Sequence, residues 1–191
     1  MSHRQRLTRA AVVLAAAALC ALAQAAEVAG IRIDDRASVG GQELVLNGAG
    51  VRTKMMFKVY VASLYLRQKG ADLASALASS PRRIQLNLLR DLSANQLVDA
   101  LVDGLNESNS PEQVAAVKPQ TEQLAALMKA FREVKEKDVV TLDFIDGATR
   151  VGLNGESKGS IPGEAFNQAL MRVWLGDKAV QPDLRKAMLG G

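Results

Sequence analysis

From Phe57 to Leu66 the chain reads Phe-Lys-Val-Tyr-Val-Ala-Ser-Leu-Tyr-Leu, with one charge, Lys58, and neither proline nor glycine. β-Branched, aromatic and aliphatic residues at this density suit a central strand, which needs neighbours on both sides. Period-2 alternation sets Tyr60, Ala62 and Leu64 on one face, and Val59, Val61, Ser63 and Tyr65 on the other. Upstream, Asn47-Gly48 is a turn signal, and Gly50 adds a second position that tolerates positive φ. A turn there delivers Arg52 beside the strand that carries both tyrosines of the protein. A fixed cation and a phenol near the start of a buried strand can together hold an anionic head group. The competing reading is a core strand with amphipathic tyrosines and an exposed turn arginine.

Around this run the signals fall in blocks. Val28 to Ile33 and Gln42 to Leu46 read as strands, Asp72 to Ser79 as a short helix stopped before Pro81. Ile84, Leu86 and Leu88 alternate with Gln85 and Asn87, as in a half-buried strand. Ser93-Ala94-Asn95-Gln96 is a capping box that opens a helix with Leu97, Leu101, Val102 and Leu105 on one stripe. Ser110-Pro111-Glu112 starts another helix, and Pro119 to Val134 is amphipathic through Leu124, Leu127, Met128 and Phe131. Strands return at Asp138 to Ile145, Ala148 to Leu153 and Glu156 to Ile161, joined by Asp146-Gly147 and Asn154-Gly155. Pro162 to Leu175 reads as a helix ended by Gly176, and Pro182 to Leu189 as a last short one. Strands, helices, a β meander and more helices predict an α+β fold, an antiparallel sheet packed against a layer of helices.

The N-terminus is read as a targeting segment. Arg4, Arg6 and Arg9 form a basic start, and Ala10 to Leu22 is an apolar run too short to span a bilayer comfortably. Ala23-Gln24-Ala25 supplies small residues at the cleavage positions. Residues 1–25 are therefore expected to be a cleaved signal peptide and residues 26–191 a single domain, exported to a bacterial periplasm without a stable membrane anchor. Leu19, before Cys20, does not suit lipoprotein attachment. Cleavage removes the one cysteine, Cys20, and the one histidine, His3. The mature chain would then have no disulfide, no Cys–His or Ser–His–Asp constellation and no thiolate or imidazole zinc site. No metal or organic cofactor is expected. Losing the three leader arginines takes the formal net charge from +4 to +1. Arg82-Arg83 and Lys135-Glu136-Lys137 are too short for a nucleic-acid surface and read as solvated faces or strand-end charges. Asp34-Asp35 and the pair Asp99 and Asp103 read as solvated carboxylates, and Trp174 as core.

Three blocks carry a family resemblance. Leu46 to Leu66 resembles the N-terminal signature of the chalcone isomerase-like superfamily, a G-x-G-x-R turn before a K-V-Y-V-A-S-L-Y-L type strand. Gly159-Ser160-Ile161-Pro162 before a helix is a second match, and Trp174 to Arg185 resembles the C-terminal "G-x-x-x-V-S-P-x-L-K" turn and helix. Order and spacing fit from about residue 28 to 190. The resemblance implies an open-faced β-sandwich and an Arg52 that stands where the family's pocket arginine stands. It also exposes departures. Tyr60 occupies the place of the plant enzymes' catalytic threonine, and the positions of their helical tyrosine and asparagine fall on Leu97 and Gly104. Asn95, Gln96 and Asn106 could stand in only with a shifted register.

An arginine with a tyrosine in a K-V-Y strand resembles instead the non-catalytic, fatty-acid-binding branch. The expected function is thus binding of a small amphipathic acid, a fatty acid or related lipid, with Arg52 and Tyr60 on its head group and no catalytic residues. Lys58 is expected on the same strand face as Tyr60. Met55, Met56, Phe57, Leu97, Leu101 and Phe166 are candidates for an apolar tunnel. The alternatives are a cofactor-free isomerase or lyase using Arg52 as oxyanion partner, and a cell-envelope interaction module with its pocket filled.

Overall fold

The protein's structure is a computed structural model that describes residues 26–191; the expected leader lies outside the described residues. The elements run β1 (Ala26–Val28), β2 (Ile31–Ile33), β3 (Arg36–Val39), β4 (Gln42–Lys54), β5 (Phe57–Leu66), α1 (Leu73–Ala78) and β6 (Arg82–Leu88). Then come β7 (Leu92–Ser93), α2 (Ala94–Ser108), α3 (Pro111–Ala116), α4 (Lys118–Lys129) and β8 (Glu133–Val134). The chain ends with β9 (Val139–Ile145), β10 (Ala148–Leu153), β11 (Glu156–Pro162), α5 (Glu164–Leu175) and α6 (Pro182–Met188). Seven strands form one sheet in the order β11-β10-β9-β6-β5-β4-β3, every neighbouring pair antiparallel. The α+β expectation therefore holds. β5 is central, between β4 and β6, as its apolar run requires.

The two faces of the sheet carry different cores. Ala62, Leu64, Leu66, Ile84, Leu86, Leu88, Val140, Leu142 and Phe144 meet the helices, chiefly through Leu101, Leu105, Met128, Phe166, Leu170 and Trp174. On the opposite face Val61 and Tyr65 pack with Ile33, Val39, Leu44 and Ile145 in a smaller cluster that the β1–β2 ribbon joins. Truncating one of the buried leucines to alanine removes about 2–5 kcal/mol of stability, by lost transfer energy and the cavity left behind.

Several local readings are corrected. The Asn47-Gly48 pair does not turn: β4 runs through it with a bulge between Leu46 and Gly48. Glycine is needed there for close approach. A Cβ on Gly48 would lie 2.1 Å from the Ala187 carbonyl oxygen, and one on Gly50 2.8 Å from the Ala187 Cβ, so α6 lies directly on this part of β4. Asn47 is buried, donating through Nδ2 to the Met188 and Gly70 carbonyls and accepting from the Gly70 N–H. Its amide ties the end of α6 to the bulge. Val28 to Ile33 is a ribbon with its turn at Ala29-Gly30, and Pro162 ends β11 rather than starting a helix. α4 stops at Lys129, because Arg132 takes a left-handed φ and Glu133–Val134 pairs with Leu92–Ser93.

Arg82-Arg83 is not a solvated face. Arg82 is 3% exposed. It donates to the Leu77 and Ser79 carbonyls, bonds Glu164 at 3.2 Å and lies 5.2 Å from the Phe144 ring centroid. Glu164 continues through Asn167 to Thr149, a polar chain joining β6, α5 and β10. Arg83 holds Asp143 of β9 through Nε and Nη2, at 2.5 and 2.8 Å.

Candidate functional site

The antiparallel β4–β5 hairpin sets Arg52 directly opposite Tyr60, and Tyr60 is in turn opposite Leu88 of β6. Both side chains open into a cavity of about 150 Å³ between the sheet and helices α2, α4 and α5. Its walls are mostly apolar: Leu86 and Leu142 from the sheet, Leu97, Leu101 and Gly104 from α2, Met128 from α4, Val173 from α5. Lys54, Asp103 and Glu107 complete the lining with exposed side chains. A bulge between Arg52 and Thr53 skips Val59, which therefore joins Tyr60 in the cavity instead of lying on the opposite face.

Arg52 is half-buried and braced. Its Nη1 donates to the Thr53 carbonyl at 2.7 Å and to Gln181 Oε1 at 3.3 Å. The same Gln181 oxygen accepts from the Thr53 N–H at 2.9 Å, and Gln181 Nε2 donates to the Val51 carbonyl at 3.1 Å. The carboxamide thus satisfies backbone groups around the bulge, as a neighbouring strand would. The Nε–Nη2 edge of Arg52 meets no carbonyl or carboxylate among the described residues.

Tyr60 accepts a hydrogen bond from Trp174 Nε1 at 3.1 Å. Burial pushes its pKa above the ordinary phenol value; the Trp174 N–H and the Arg52 guanidinium pull it back only in part. At neutral pH it is therefore an un-ionised phenol whose hydroxyl proton has no acceptor among the described residues. The site thus offers a guanidinium edge and an O–H donor to one incoming group. Such a pair suits a carboxylate or another oxyanion, since both donors point at negative charge.

The other expected residues divide. Leu97 and Leu101 line the cavity, whereas Phe166, on α5, is wholly buried in the core and does not reach it. Met55, Met56 and Phe57 lie at the exposed hairpin tip and do not line it. Lys58 is exposed and pairs with Thr53 beyond the bulge, so the second cation of the cavity is Lys54. Leu97 and Gly104, where a plant isomerase carries polar groups, form bare wall; Asn95, Gln96 and Asn106 do not enter it. Trp174 and Gln181 were not singled out as site residues. The Trp174 to Arg185 block was the available signal, but their partners lie 114 and 129 residues away. A second concavity of about 300 Å³ between α2, α3 and α4 is lined by Val102, Leu105, Val114 and Ala125, with Lys118 and Glu122, and lies on the other side of α2. Among the described residues no group of three or more metal-ligating side chains gathers, and no helix is long and apolar enough to cross a membrane.

A family model described as chalcone isomerase-like matches residues 25–190. The chain belongs to the chalcone isomerase-like family. This chalcone isomerase-like chain shares its fold with the crystal structure of a fatty-acid binding protein of Arabidopsis thaliana. The TM-score is 0.63 at 14% identity, over 84% of this chain and 92% of that one. No curated protein matches.

Proposed function

We propose that this protein is a non-catalytic binder of a small amphipathic acid, a fatty acid or related lipid, held in the cavity between sheet and helices. The observation that carries the reading is the pairing of a half-buried arginine edge with a neutral phenol at an otherwise apolar cavity. A carboxylate on the Nε–Nη2 edge of Arg52 repeats the geometry that Asp143 adopts on Arg83 in the same sheet. Tyr60 donates to the carboxylate, and charge-assisted bonds of this kind contribute about 1.5–3 kcal/mol each. The Arabidopsis neighbour, by its title a fatty-acid binding protein, supports a lipid ligand for this fold.

The volume restricts the ligand. About 150 Å³ falls below the roughly 300–1,000 Å³ typical of sites that enclose a drug-sized molecule. A head group and a short apolar stretch fit inside; a longer chain has to leave by the side of Lys54, Asp103 and Glu107. The isomerase or lyase reading would use the same Arg52 and Tyr60 as oxyanion donors, but α2 presents Leu97 and Gly104 where donors would orient a phenolic substrate, and its polar lining groups, Asp103 and Glu107, are carboxylates that repel a phenolate. We further propose export to a bacterial periplasm after cleavage near Ala25, on the leader pattern of residues 1–25.

Native mass spectrometry with lipid extraction tests the binding reading on protein recovered from a bacterial envelope fraction, wild type beside Arg52→Ala. A stoichiometric acidic lipid on the wild type alone is the expected result. An empty wild type, or equal retention by both, removes the reading. Intact mass of the same sample reports whether the leader has been removed.

A further inference from the structure

The β4–β5 hairpin breaks a rule that the rest of the sheet obeys. Among the described residues the other tight hairpins, three in this sheet and the β1–β2 ribbon, turn on Gly40-Gly41, Asp146-Gly147, Asn154-Gly155 and Ala29-Gly30, each with glycine second and positive φ at both residues. Here the turn is Met55-Met56, with Met55 held at φ 58° and no glycine. Met55 and Met56 are each 90% exposed and Phe57 is 56% exposed, the only large hydrophobics in that state among the described residues. Folding gains nothing from this choice: glycine at the positive-φ position 55 followed by a polar residue would make the turn with less strain and without apolar surface in water. A local rule broken without a folding benefit marks a functional surface.

The chemistry around the tip identifies its partner. Residues 52–58 hold Arg52, Lys54 and Lys58 and no acid. Arg90 joins from the loop after β6, its guanidinium carbon 4.9 Å from the Phe57 ring centroid. Lys54, Lys58 and Arg90 make no ion pair among the described residues. A small apolar point collared by free cations suits the boundary between head groups and acyl chains: methionine and phenylalanine enter, and lysine stems reach back to anionic phosphates. A protein partner would need about 800 Å² of matched surface, and three side chains at a hairpin tip offer a point instead of a face.

We propose that the Met55-Met56-Phe57 tip docks the protein onto an anionic lipid membrane. Lys54 belongs both to the collar and to the cavity lining, two residues from Arg52. A tip seated among head groups would bring the cavity side at Lys54 against the bilayer, so an acid could pass to Arg52 without crossing bulk water. The passage rests on the proposed lipid-binding function; the docking does not.

Flotation with vesicles of phosphatidylcholine alone, and of phosphatidylcholine mixed with phosphatidylglycerol, tests it on the chain of residues 26–191. Wild type should float with the anionic vesicles only, and less so at high salt. Met55→Ser/Met56→Ser should lower the bound fraction about ten-fold, and Lys58→Glu comparably, with thermal midpoints unchanged because these positions are exposed. Wild type that ignores anionic vesicles, or variants that float as it does, overturns the proposal. So does wild type that stays off vesicles but self-associates through a contact the methionine variant loses, which assigns the tip to a protein. Flotation by protein that retains no acid leaves docking standing and removes the lipid-binding reading; retained acid without flotation does the converse.

Discussion

At the scale of single residues, Gln181 decides where Arg52 points. Its one oxygen accepts from Arg52 and from the Thr53 N–H, while its amide nitrogen serves Val51. Gln181→Ala should weaken acid binding several-fold while costing about 0.5–1.5 kcal/mol of stability per lost bond. Gln181→Glu should do worse for binding, because it gives Arg52 an internal carboxylate that competes with the ligand and leaves the Val51 carbonyl without a donor. Isothermal titration with a soluble short-chain acid separates the two variants. Tyr60→Phe should cost about 0.5–1.5 kcal/mol of binding without unfolding the protein; an unfolded variant would make the hydroxyl structural. The sign of its pH dependence follows from the raised pKa. The neutral donor persists through neutral pH and is lost only above the ordinary phenol range, about pH 10, so affinity should be level from neutral pH until then and fall beyond. Arg52 beside Tyr60 was legible because the two lie close in sequence, although the turn that brings them together is Met55-Met56 and not Asn47-Gly48. Trp174 and Gln181 arrive by tertiary packing, which no window of sequence encodes.

At the scale of elements, Asn47-Gly48 shows why a strong turn signal can fail. Glycine has two uses, freedom of φ and absence of a side chain, and a sequence does not say which is in play. Neither Gly48 nor Gly50 has positive φ; each leaves room for α6. Gly48→Ala should therefore destabilise by about 1–3 kcal/mol, since its Cβ meets backbone that cannot rotate away. Chemical denaturation measures the loss, and acid retention should fall with it, because α6 follows directly on Gln181. Asp146-Gly147 and Asn154-Gly155 were read correctly because both lie between short alternating strands with nothing packed on the turn, so the local rule stands unopposed. The capping box at Ser93 was legible for the same reason: its bonds close within three residues.

At the scale of the molecule, one sheet separates two apolar clusters of unequal size, and Tyr65 belongs to the smaller. Its hydroxyl donates to the Asp34 carbonyl at 2.8 Å, and burial, with Asp34 nearby, pushes its pKa up to about 12. The folded state thus favours the neutral phenol. That contribution is intact below the unfolded value of about 10 and is lost as pH rises towards about 12. Tyr65→Phe should flatten this alkaline limb of the stability curve while costing about 1 kcal/mol at neutral pH, as denaturation at several pH values would record. The fold class was legible because strand and helix periods alternate in clean blocks. The burial of Arg82 was not, since a charged pair at a strand start looks the same whether water or Glu164 awaits it. Gln181 also bears on the order in which the molecule is completed. The sheet's last strand ends at Pro162, but Gln181, which aims Arg52, lies 128 to 130 residues further along the chain than its partners Thr53, Arg52 and Val51. During synthesis, every strand leaves the ribosome before the clamp does. A nascent chain can therefore have every strand of the sheet exposed while Arg52 is held by the Thr53 carbonyl alone, so the proposed binding site is completed later than the sheet that carries it.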